Sequence, residues 1–176
     1  MYKKRYGRMT VSAWLNSELE QTSPVLLLFS GLLVLVIGWM VRFGIGAPHR
    51  MLLELGVGEI VPPVWLLSLL WSAELLVIGC AAGFVLGYRE RACRGEKYKG
   101  CMLFILLVLL EMLWYPVFFA LGLVFLSVLI SILILCLSVA VTACFYRVSK
   151  FAGMLLLLHS VWIAYMLILN FFVLFY

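Results

Sequence analysis

Three ionisable side chains, Glu74, Glu111 and His159, stand inside stretches apolar enough to be buried in lipid. Such a group at mid-membrane costs several kcal/mol unless it is neutral, paired or hydrated, so each calls for a ligand, a proton or a partner helix. Each also has a tryptophan three positions away: Trp71 before Glu74, Trp114 after Glu111 and Trp162 after His159. Residues three apart share one helix face. The last of these faces continues as His159, Trp162, Met166 and Asn170, at spacings of three, four and four. If the three faces converge, flat indole walls beside a few polar anchors suit a large planar apolar ligand. Two other chemistries use the same residues. Glu74, Glu111 and His159 could relay protons or substrate in a small-molecule transporter or in its substrate-binding subunit. They could also only lock helices together, through bonds that average well under about 2 kcal/mol.

The elements that must carry these residues follow from composition. Of 176 residues, 66% are hydrophobic and only 12% charged, against roughly 45–50% and about 25% in soluble domains. A water-facing surface cannot be covered with so few charges. Five stretches are long enough to cross about 30 Å of hydrocarbon: Pro24–Val41, Val64–Leu86, Cys101–Leu121, Leu123–Phe145 and Phe151–Phe175. The fold class is therefore an all-α integral membrane protein, a five-transmembrane-helix bundle forming one domain over 24–175. The run from Cys101 to Phe145 is more than twice too long for one span and must fold back near Gly122. Trp39 and Trp65, at span ends, read as interfacial anchors. Pro116 frees a backbone carbonyl in the third span and is expected to kink it. The second span ends with Gly79, Gly83 and Gly87, small residues every fourth position that let another helix approach, in the same bundle or in a second copy.

Charge sets the orientation. With five spans, the amino terminus, the loop 87–100 and the loop 146–150 share one side and hold 11 of the 13 basic residues, leaving only Arg42 and Arg50 opposite. Short basic loops stay in the cytoplasm. The expectation is an amino terminus inside and a carboxyl terminus outside, in the bacterial cytoplasmic membrane. The net charge of +5 is then a topology signal, and no nucleic-acid partner is expected. Residues 1–23 form a basic tail with no apolar h-region directly following, so no signal peptide is read there. Val11, Trp14, Leu15 and Leu19 would give a short helix at the inner interface one apolar face; a frayed polar tail is the alternative. Five cysteines with no metal-like spacing read as free thiols, no metal site is expected, and no cofactor is required. No HExxH, nucleotide-binding glycine loop or nucleophile elbow is present, so catalysis has no independent support. Val141–Tyr146–Lys150 and Val85–Tyr88–Arg91 match the loose sterol-contact pattern, which chance supplies at basic loops.

The order of motifs carries a resemblance. Pro62, Pro63 and Trp65 lead to Leu70 and Trp71; Glu111 and Trp114 precede Phe118 and Phe119; Phe145 to Ala152 joins the last two spans; Trp162 is followed by Leu169 and Asn170. From Pro62 to Asn170 the chain resembles the TspO/MBR family, the tryptophan-rich sensory and translocator proteins. Glu111 stands where that family usually has Asn, and Leu158–His159 where it has Pro-Tyr. The resemblance implies a five-helix membrane protein, commonly a homodimer, with a pocket capped by the loop from Arg42 to Val61. It further implies a hydrophobic ligand such as a porphyrin, haem or another tetrapyrrole, or a sterol, and in some members light-dependent porphyrin breakdown. On this reading Trp71, Glu74, Glu111, Trp114, Phe118, His159, Trp162, Met166 and Asn170 form the ligand site.

Overall fold

A chain of this composition has no water at mid-membrane to satisfy its backbone, so each N–H and C=O must be paired within its own segment, and the helix is the form that does so. The computed structural model describes residue 20 and residues 22–45, 63–88 and 94–175. Among them are five helices: α1 Pro24–Ile45, α2 Val64–Gly87, α3 Arg94–Phe119, α4 Val124–Val148 and α5 Lys150–Phe175. All five are long and apolar enough to cross a membrane. Most of the basic tail, residues 46–61 of the loop from Arg42 to Val61 expected to act as a lid, and Cys93 lie outside the described residues, whereas Arg42 to Ile45 belong to α1 and not to that loop. The four described cysteines are free.

Three helices extend three or more residues past their apolar runs, α4 continuing from Phe145 to Val148 through most of the expected loop 146–150. α3 begins at Arg94 rather than Cys101, because Glu96, Lys97 and Lys99 favour a helix as readily as the apolar run does. α1 continues to Ile45 and carries Arg42 into its last turn, where a cation complements the carbonyl end of the helix dipole. At the end of α2, Lys97 Nζ donates to the carbonyls of Leu86 and Tyr88, at 2.7 and 3.2 Å. Pro116 does not break α3, which ends three residues later at Phe119. The chain then reverses through Gly122, whose φ of +64° is a left-handed conformation that only glycine adopts without strain. The fold-back lies where helix length required it.

The helices form a ring in the order α1, α2, α5, α4, α3, and α3 closes it against α1. Three seams decide the site. On the first, the glycine stripe of α2 lies against α1 of the same chain: a Cβ on Gly79 would stand 2.6 Å from the Ser30 carbonyl oxygen and 2.7 Å from Gly31 Cα. One on Gly83 would meet Leu27 Cα at 2.9 Å. Of the two partners open to this stripe, the intramolecular one covers it. On the second seam α4 and α5 are joined by polar contacts: Ser138 and Ser160 share a 2.7 Å hydrogen bond, and Asn170 Nδ2 donates to Ser131 Oγ at 2.8 Å. Their junction is tight, since Ser149 Oγ accepts from the Ala152 amide at 3.3 Å as a helix cap. The third seam, α2 against α5, brings Glu74 to His159.

Candidate functional site

His159 is 1% exposed, and Glu74 and Glu111 are each 8% exposed. They come from α5, α2 and α3. His159 Nδ1 lies 2.5 Å from Glu74 Oε1, and Nε2 lies 3.1 Å from Glu111 Oε1. The imidazole therefore bridges two carboxylates, one at each ring nitrogen. The two halves differ. The Glu74 contact is a hydrogen bond, whereas the Glu111 approach is off the line along which a ring N–H would point. Glu111 Oε1, Glu111 Oε2 and His159 Nε2 are all left without a hydrogen-bond partner. Buried polar atoms of this kind are rare because each one costs about 1–3 kcal/mol.

Beside the cluster lies a small cavity of about 30 Å³, lined by Trp71 and Glu74 of α2, Glu111 and Trp114 of α3, Ser131 and Ile134 of α4, and Trp162, Ile163 and Met166 of α5. All three indoles expected to converge do so here. Each follows from helix geometry: Trp71 and Glu74, and likewise Glu111 and Trp114, project from one face because they stand three positions apart. A second small cavity, also of about 30 Å³, is lined by Leu67, Trp114, Phe118, Phe119, Met166, Leu169, Asn170 and Val173. Trp114 and Met166 belong to both. Trp114 is stacked on Phe118, with ring centroids 5.2 Å apart and planes 10° from parallel. The flexible, unbranched Met166 is the softer part of the divider.

The expected site residues thus fall into three groups. Trp71, Glu74, Glu111, Trp114, Trp162 and Met166 line the first cavity; Phe118 and Asn170 line the second; His159 lines neither. A molecule lying among the indoles meets the two carboxylates before it meets the imidazole. Asn170 is also engaged with Ser131. Several contributors went unread in the sequence, among them Ile163 of the first cavity and Leu67 and Val173 of the second. Ser131 and Ile134 supply the α4 wall, Tyr115 stacks on Trp71 at 5.4 Å, and the Arg42 guanidinium lies 5.9 Å from the Trp71 ring while donating to Ser68 Oγ. The signal for α4 was present: Ser127, Ser131, Ser138 and Thr142 recur at spacings of four, seven and four in an otherwise apolar helix. Along the sequence Glu74, Glu111 and His159 have no metal-ligand spacing. In space, one donor atom from each lies within 4.8 Å of the others.

Five membrane-crossing helices, four of which line an aromatic cavity with carboxylates in its wall, define an integral membrane bundle whose polar chemistry is internal. The chain belongs to the TspO/MBR family, which matches residues 45–176. It is similar to the "Tryptophan-rich protein TspO" of Chlorobaculum tepidum, with 32% identity over 111 residues, 62% of this chain and 68% of that protein.

Proposed function

We propose that this protein is a membrane receptor or sensor that holds a planar hydrophobic molecule of the tetrapyrrole class, such as a porphyrin, inside its helical bundle. The observation that carries the reading is the convergence of Trp71, Trp114 and Trp162 on one cavity with Glu74 and Glu111 in its wall. Indole faces supply apolar area at little conformational cost, and the polar groups fix the ligand's edge. Each cavity alone, at about 30 Å³, has room for little more than a water molecule. A tetrapyrrole therefore requires the helices to part as well as Met166 to move, so that the two spaces become one. Arg42, beside Trp71, offers a cation to an anionic substituent. Sterol binding, light-dependent porphyrin breakdown and homodimer formation are further family properties open to this chain, and the basic loops orient it with the amino terminus in the cytoplasm.

Titrating the detergent-solubilised protein with protoporphyrin tests the reading. Saturable quenching of tryptophan fluorescence is expected, and Trp162→Ala, which removes one wall, weakens binding at least tenfold in a protein that still elutes as a folded species. Unchanged affinity in that variant removes the proposed site.

A second reading, a small-molecule transporter or its substrate-binding subunit, is favoured by the carboxylate–imidazole–carboxylate chain from α2 through α5 to α3. It expects proton-coupled uptake into proteoliposomes that Glu111→Gln abolishes. Uptake that survives the substitution sinks it.

A further inference from the structure

The polar cluster contains an imbalance that neither reading of the cavity uses. Glu111 Oε1, Glu111 Oε2 and His159 Nε2 converge in an almost fully buried space, all three can donate electron pairs, and none has a hydrogen-bond partner. Glu74 stands on the far side of the ring and takes the other nitrogen. A carboxylate that accepts Nδ1–H fixes the histidine tautomer and leaves the Nε2 lone pair directed away from it. This is the arrangement in which an outer carboxylate orients a metal-binding imidazole. The 3.1 Å between Nε2 and Glu111 Oε1 is poor as a hydrogen bond because of its direction. It is the separation expected of two neighbouring ligands, each about 2.0–2.2 Å from a common ion.

We propose that His159 Nε2 and the Glu111 carboxylate bind one first-row divalent transition ion of the Zn2+ or Fe2+ kind, with Glu74 orienting the imidazole from its other nitrogen. Charge supports a divalent ion. Two carboxylates and a neutral imidazole sum to −2, so a 2+ ion makes the cluster neutral, which suits a site far from water. Donor type supports a borderline metal, because the set mixes imidazole with carboxylate and contains no thiolate. The donor atoms lie within 4.8 Å of one another. Two bonds of about 2.1 Å reach at most about 4.2 Å, and the 3.1 Å between His159 Nε2 and Glu111 Oε1 already lies within that span. Glu74 and Glu111 also line the aromatic cavity, which leaves the remaining coordination positions open to water or to a donor atom of a molecule held there.

The test is a Co2+ titration of the untagged full chain in detergent after treatment with a chelator. The expected result is a visible d–d absorption that saturates at one equivalent per chain and is displaced by Zn2+. A folded Glu111→Gln variant loses the signal, and Glu74→Gln, which keeps an acceptor for Nδ1–H but removes the charge, weakens affinity about 10–100-fold. The wild-type titration stands alone should a variant fail to fold. No saturable absorption in the wild-type protein means a cluster that holds protons only, and overturns the proposal. So does a signal that persists unchanged in folded Glu111→Gln, or one with a strong near-ultraviolet sulfur band, which puts the ion on cysteine.

Discussion

Replacing His159 with alanine destabilises the protein by about 3–5 kcal/mol, the usual cost of removing one partner from a buried charged cluster. The imidazole is the only group that touches both Glu74 and Glu111 among the described contacts, so its loss leaves two carboxylates facing an emptied space in the middle of the bundle. Measured by denaturant titration of detergent-solubilised protein, the variant should unfold far earlier than the parent. The triple variant Glu74→Met, Glu111→Leu, His159→Met should recover most of the loss, because well-packed apolar groups often replace a buried ionic cluster at little cost. The recovered protein should have no metal affinity. A single variant that loses less than about 1 kcal/mol would show that the carboxylates find other partners and that the cluster does not hold the three helices together.

Gly79→Val is expected to undo the seam between α1 and α2. The first added carbon would stand 2.6 Å from a carbonyl oxygen and 2.7 Å from a Cα of α1, both backbone atoms that no rotamer change can move. Overpacking a well-filled interface costs about 1–3 kcal/mol where side chains can adjust, and here the helices themselves must separate, so the upper end or beyond applies. Gly95→Ala is the control: nothing lies within 4 Å of a Cβ there, and alanine in an exposed helix is favoured over glycine by up to about 1 kcal/mol. Comparing the two by thermal unfolding separates the close approach from the general effect of losing a glycine. Equal stability in both variants would contradict the packing described.

Both expectations depend on features that were readable in the sequence to different degrees. The spans were legible because hydrocarbon thickness imposes a length on any crossing helix, and the reversal at Gly122 was legible because no single helix could hold the run around it. The three indoles were legible because spacing along a helix fixes which residues share a face. Spacing does not fix which way that face turns within the ring. For this reason the glycine stripe could not be assigned to α1 or to a second copy, and His159 could not be placed behind the carboxylates rather than in the cavity wall. Ser131 and Ile134 were missed on the same ground, since α4 looked apolar throughout and its serine stripe gained meaning only opposite Asn170 and Ser160. The start of α3 at Arg94 was missed for another reason: apolarity marks where a helix enters lipid, whereas helical hydrogen bonding continues into water.

The bridging histidine also has a consequence for how the protein is made. Glu74 precedes His159 by 85 residues, and synthesis at about 5–20 residues per second delivers the second roughly 4–17 s after the first. Glu111 precedes His159 by 48 residues, so α2, and for a shorter interval of roughly 2–10 s α3 as well, carries a carboxylate whose imidazole partner has not yet been translated. Assembly of the core is therefore completed from the carboxyl-terminal helix, and a nascent chain stalled before α5 holds two acidic helices that the insertion machinery must shelter or the membrane must accept in protonated form.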